Sequence, residues 1–97
     1  MIYQFHPEAQ AEHLETIVYY ETQRPGLGAS YLAEFESILE LVCEAPTRYP
    51  IELDPEIRRV ILRRFPFTVL FRESQGTVQV LALAHHRRRP SYWLNRF

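Results

Sequence analysis

The run Phe67-Thr68-Val69-Leu70-Phe71-Arg72-Glu73-Ser74-Gln75-Gly76-Thr77-Val78-Gln79-Val80-Leu81-Ala82-Leu83-Ala84-His85 decides the fold. Residues 67–72 and 77–85 are rich in β-branched and aromatic side chains, which suit a pleated sheet. Ser74-Gln75-Gly76 between them supplies a turn, so the two runs form a hairpin. Upstream, residues 57–65 read as a third strand, stopped by Pro66. Arg58, Arg59, Arg63 and Arg64 bracket its apolar middle, Val60-Ile61-Leu62. Such charges either protect an edge strand or meet a partner.

The N-terminal half is helical. Ile2-Tyr3-Gln4-Phe5 reads as a short edge strand, and Pro7 then suits the first position of a helix. Ala11, Leu14, Ile17, Val18 and Glu21 form a stripe at helical spacing, with Glu12, Glu15 and Thr16 off it. Arg24-Pro25-Gly26-Leu27-Gly28 breaks the helix. A second helix is expected over residues 29–44, with Leu32, Phe35, Ile38, Leu39, Val42 and Cys43 inward and the glutamates outward. Pro46 ends it, a Pro- and Tyr-rich loop follows, and residues 91–97 are a short tail. The expected architecture is α+β, in the order β-α-α-β-β-β, with a helical hairpin on one face of a small antiparallel sheet.

That arrangement leaves one sheet face without a cover. Near their centres both hairpin strands are apolar on both sides, whereas a half-solvated sheet alternates cleanly. One helical hairpin covers one face. The other face needs the tail with Tyr92 and Trp93, a second copy, or another protein.

A chain of 97 residues supports one domain, residues 1–97, with a modest core. Its formal charge of −1 conceals a strong division. Residues 1–56 carry two Arg and eleven acids, a net −9, and residues 57–97 carry nine Arg and one acid, a net +8. Every one of the 11 basic side chains is Arg, whose planar fork suits carboxylates, phosphates and aromatic faces. The basic half points to an anionic partner, or else the two halves pair with each other. A single cysteine, Cys43, excludes an internal disulfide and a Cys-cluster zinc site. His6 and His13 lack a ligand set around them, so neither a metal nor a cofactor is expected. No apolar run nears the roughly 20 residues of a membrane span. The start Met1-Ile2-Tyr3-Gln4-Phe5 shows no basic leader, and a cytoplasmic protein is expected.

The densest chemistry lies in His85-His86-Arg87-Arg88-Arg89-Pro90-Ser91-Tyr92-Trp93, directly after a buried strand. Adjacent guanidiniums repel one another unless an anion joins them. Imidazole, phenol and guanidinium together also suit phosphate binding or acid–base work. The expected target- or partner-binding set is Arg58, Arg59, Arg63, Arg64, Arg72, His85, His86, Arg87, Arg88, Arg89, Tyr92 and Trp93, although a lone Trp in a small domain usually packs in the core, here on the sheet.

The order of elements, Pro46 with Tyr49-Pro50, Ile57-Arg58-Arg59, Arg64-Phe65-Pro66-Phe67, the strand at 78–84 and His85-His86-Arg87-Arg88-Arg89-Pro90 together resemble the RelE/ParE superfamily. These are toxins of type II toxin–antitoxin modules, some of which stabilise plasmids. The resemblance implies a toxin wrapped and neutralised by a cognate antitoxin. Its expected seat is the uncovered sheet face carrying Leu81 and Leu83 or Val80 and Ala82. RelE-like members cleave mRNA on the ribosome; ParE-like members poison DNA gyrase. The ribonuclease pattern places a cation after Pro66-Phe67, where this chain has Thr68, and a basic residue and a Tyr near the C-terminus, where His86 (or Arg87) and Tyr92 stand. Thr68 points to the ParE-like branch. His86 and Tyr92 are the candidate catalysts if the chain is a ribonuclease, and a non-toxic antitoxin-binding relative is the third reading.

Overall fold

A computed structural model describes residues 2–97 of the chain. Strand β1 (Ile2–Phe5) leads into helices α1 (Pro7–Gln23) and α2 (Leu27–Glu44). Strands β2 (Ile51–Leu53), β3 (Ile57–Ile61), β4 (Phe67–Ser74) and β5 (Thr77–His85) follow, and one 3-10 turn at Leu94–Arg96 closes the chain. The strands lie in the order β1-β5-β4-β3-β2. Four of them are antiparallel, as expected; β1 runs parallel to β5, from Ile2 beside Thr77 to Phe5 beside Val80. The helical hairpin packs on one face.

The expected helices and hairpin are present with shifted details. α1 starts at Pro7, and the His6 Nδ1 accepts the Glu8 amide at 3.1 Å. At the interhelical turn Gly26 takes φ 89°, and Glu21 accepts the Gly26 amide at 3.0 Å and the Gly28 amide at 3.1 Å. A carboxylate there meets the positive end of α2. Gly28 lets the helices touch, because a Cβ would lie 2.6 Å from the Ile17 carbonyl oxygen. The β4–β5 turn has Gln75 at φ 53° and Gly76 at φ 79°, the two left-handed positions of a tight hairpin turn.

Five expectations are corrected. The inward face of α1 carries Ala9, His13 and Thr16, whereas Leu14 is 55% and Val18 62% exposed. A histidine fits inside because its Nδ1 shares a 2.9 Å hydrogen bond with the Tyr31 hydroxyl and its ring lies against Phe5 and Phe35. Residue 65 is not in a strand: β3 ends at Ile61, and the chain turns so that Leu62 and Phe65 enter the helix-side core. Glu34, expected outward on α2, is buried instead. It accepts the backbone amides of Arg63 and Arg64 and pairs with the Arg64 Nε at 3.0 Å. The short strand β2 lies in the segment read as loop.

The fifth correction concerns the sheet's second face. A bulge sets Leu70 opposite Ala82 and Phe71 opposite Val80, so Leu81 is the extra residue of β5. The bulge shifts the alternation by one. Val78, Val80 and Leu83 therefore join the helix-side core, while Leu81 and Ala82 turn to the other face. This shift is why β5 reads as apolar on both sides. The second face is then closed by the chain's own tail. Trp93, 4% exposed, packs with Ile57, Leu70, Leu81 and Ala82, and Tyr92 and Ala84 flank them. Val80, Leu81, Ala82 and Leu83 are all at most 2% exposed, so the expected open groove over these residues does not exist.

Candidate partner-binding site

The tail is held by an arrangement around the free edge of β5. β1 ends beside Val80, so the residues of β5 after it have no strand neighbour on that side. Buried strand-edge groups need other partners, and side chains supply them. Glu12 of α1 accepts the Leu83 amide at 3.0 Å, and Arg96 donates to the Leu81 carbonyl at 3.1 Å. Glu12 also binds Arg96 through both its oxygens, at 3.0 and 2.8 Å, and accepts a hydrogen bond from the Tyr92 hydroxyl at 2.7 Å. Burial alone would raise the Glu12 pKa, but the bonds from Arg96, Tyr92 and Leu83 hold it below the ordinary carboxylate range. The Tyr92 ring carries two guanidiniums, Arg88 at 3.9 Å and Arg96 at 5.0 Å from its centroid.

Beside this clasp, on the tail's face of the sheet, lies a concave site of about 370 Å³. Arg59, Ile61, Thr68 and Leu70 form its floor, and His86, Arg89 and Tyr92 its wall. Thr68 stands opposite Ile61 and Ala84 in the sheet, and its hydroxyl shares a 3.1 Å hydrogen bond with the His86 Nε2. His85 turns to the helix side, edge-on to Phe67, and its Nδ1 accepts the Arg87 amide at 3.0 Å. Arg87, Arg88 and Arg89 are exposed on the turn that follows.

The expected set therefore does not form one surface. His86, Arg88, Arg89, Tyr92 and Arg59 line the concavity. Arg58 instead donates to the carbonyls of Thr47 and Tyr49. Arg59 is also tied to the Ile51 carbonyl and to Glu52. Arg63 and Arg64 sit across the molecule beside α2. Arg72 is at the far end of β4, bound to Gln79 and Glu56 and over the Phe97 ring. Trp93 is a core residue of the tail. Four Arg of the basic half pair with acids of the other half, namely Arg59, Arg64, Arg72 and Arg96. The Arg87-Arg88-Arg89 run has no ion pair among the described residues.

Sequence reasoning missed Arg96 and Glu12 altogether as site residues. It also assigned Leu14 and Val18 to the core, whereas they and Tyr19, 58% exposed, form an apolar patch on α1. The signal was present: apolar or aromatic groups occupy too wide an arc of α1 for one buried face. Next to the patch, a groove of about 520 Å³ runs between α1 and the end of β5, with Tyr19, Tyr20, Phe67 and Leu83 inside and Arg87 and Arg88 at its rim. Among the described residues, no group of His, Cys, Asp and Glu is placed to hold a metal ion, and no helix is long and apolar enough to cross a membrane.

Residues 3–90 match the family described as "ParE toxin of type II toxin-antitoxin system, parDE", and the chain belongs to this family. A solved structure titled "Chromosomal ParDE TA system from P. aeruginosa" has the same fold, with a TM-score of 0.73 at 19% identity over 88% of this chain and 95% of that one. No curated protein sequence matches.

Proposed function

We propose that this toxin arrests growth by holding a protein target, DNA gyrase, in the cytoplasm, and that it does not cut RNA. The observation that carries the reading is the state of Tyr92. Its hydroxyl donates to Glu12 at 2.7 Å, and burial and the Glu12 carboxylate both raise its pKa. A phenol so committed serves poorly as a proton donor or acceptor for a phosphodiester. Thr68 adds to this, since its neutral hydroxyl stands where the ribonuclease pattern has a cation. Loss of one preorganised donor costs about 10²–10³ in rate. Arg72 offers no substitute, because Gln79 and Glu56 hold it at the other end of β4.

The exposed Arg87-Arg88-Arg89 turn and His86 then serve target recognition. The antitoxin takes the apolar patch at Leu14, Val18 and Tyr19 and the adjoining groove, with acidic side chains toward Arg87 and Arg88. This relocates its seat from the sheet face to α1. The test is gyrase supercoiling in vitro with the purified chain. Inhibition that is lost in the R87A/R88A/R89A variant supports the reading; full supercoiling activity in the presence of excess wild-type protein contradicts it.

A further inference from the structure

The two outer edges of the sheet are treated differently. β2 is guarded: it has three residues, Pro50 and Pro55 nearby, an irregular register with β3, and the Arg59 guanidinium on its Ile51 carbonyl. β1 is also short, at four residues, and Pro7 follows it as closely as Pro55 follows β2, but within the strand it carries no such device. Ile2-Tyr3-Gln4-Phe5 has no proline, no charge and no bulge, and Ile2 is 63% exposed. In a parallel pair only alternate residues bond to the neighbour, so the others turn their amides and carbonyls outward. β1 is last in the sheet order, and no strand pairs with its outer side among the described residues. An edge left unguarded is a template for another strand.

Beside this edge lies a cavity of about 530 Å³, lined by Ile2, Tyr3, Glu36, Glu40, Cys43 and Glu44. Glu36, Glu40 and Glu44 sit four residues apart on α2, and none has an ion-pair partner among the described residues. The row is unfavourable twice over. Like charges at this spacing repel, and carboxylates in the last turns oppose the negative end of the helix, which here has no basic residue. Cationic groups from outside would relieve both. The spacing also suits a strand: four helical residues rise about 6 Å, and same-face residues of a strand lie about 6.6 Å apart.

We propose that the β1 edge and the α2 glutamate row form a docking site for an extended, cationic segment of another protein, with Lys or Arg at alternate positions. The segment adds as a sixth strand beside β1, its alternate cations over Glu36, Glu40 and Glu44 and the intervening residues away from them. A second copy of this chain is disfavoured as occupant, because β1 meeting β1 would set two glutamate rows side by side. The site lies beside the start of β5, and the Arg87-Arg88-Arg89 turn leaves its end, so both can be occupied together.

The test uses two labelled synthetic peptides, one alternating Lys and Val and one alternating Glu and Val, with binding followed by fluorescence anisotropy. The Lys–Val peptide should bind and the Glu–Val peptide should not. The E36Q/E40Q/E44Q variant, which removes helix-destabilising repulsion, should weaken binding about tenfold, three surface charge pairs being lost. Hydrogen exchange of the wild-type chain should slow at residues 2–5 when the Lys–Val peptide is added. Equal binding of both peptides, no binding, an unaffected triple variant, or slowed exchange elsewhere than β1 would each overturn the proposal. So would sedimentation showing a dimer that the Lys–Val peptide does not dissociate and whose β1 amides are already protected.

Discussion

The Arg96 guanidinium closes on the Glu12 carboxylate at 2.8 Å, joining helix α1 to a tail 84 residues further along the chain. The pair sits at the free edge of β5 and anchors the segment whose Trp93 seals the second sheet face. The side chains involved are almost fully covered, 6% exposed for Arg96 and 15% for Glu12. Breaking such a pair from one side leaves an uncompensated charge, which costs about 3–5 kcal/mol.

Arg96→Ala is therefore expected to lower stability by about 3 kcal/mol in urea unfolding, since the strand-edge carbonyl of Leu81 also loses its donor. Trp93 is the only Trp in the chain, so its emission reports directly on the seal. A red shift in the folded variant is expected. An unshifted emission with less than about 0.5 kcal/mol of destabilisation would show that the clasp does not hold the tail.

His13 makes stability fall with acid above the carboxylate range. Burial depresses its pKa from 6.5 to about 4 in the folded chain. Between those values the unfolded chain binds a proton that the folded chain does not, so stability drops as pH falls from about 6.5 to about 4. The loss is on the order of 2 kcal/mol after allowance for partial solvent screening. His13→Phe should flatten this part of the profile, at the cost of the Tyr31 hydrogen bond. Glu12 acts lower. Its folded pKa is depressed, so its contribution is full above the unfolded carboxylate value near 4.5 and disappears as pH falls through the folded one. A wild-type profile flat from pH 6.5 to 4 would contradict the burial of a neutral His13.

Variants in the α1 patch are expected to separate the proposed antitoxin binding from folding. Leu14→Asp and Val18→Asp alter exposed side chains and should change stability by no more than about 0.5 kcal/mol. They should nevertheless prevent the cognate antitoxin from rescuing growth. Replacing Arg87 and Arg88 by Ala should instead slow antitoxin association and flatten its dependence on salt, as rim charges steer encounter more than they set the off-rate. Full rescue by the antitoxin of a toxic Leu14→Asp, Val18→Asp double variant would remove the patch from the interface.

Local patterns made the hairpin legible. Ser74-Gln75-Gly76 demanded a tight turn, and Gln75 and Gly76 adopt the positive φ such turns require. Pro7 and the breakers at 24–28 marked the helix limits to within a few residues. The face of α1 was not legible, because His13 acts as an aromatic core residue once Tyr31 satisfies its nitrogen. The sheet face misled for a different reason. One bulge residue, Leu81, reversed the alternation of β5, and periodicity alone cannot reveal a bulge in the partner register. The basic turn at 86–89 was legible as an exposed segment. Glu12, Arg96 and the edge of β5 were not, since they meet only after the chain has folded over more than 80 residues.

Binding without RNA cleavage can be read by inducing the chain in growing cells and following transcripts and plasmid supercoiling together from the onset of growth arrest. A toxin that only binds its target leaves transcripts intact, lowers supercoiling, and no longer arrests growth as the R87A/R88A/R89A variant. Early cleavage of translated mRNAs, abolished by His86→Ala or Tyr92→Phe while supercoiling stays normal, would contradict it.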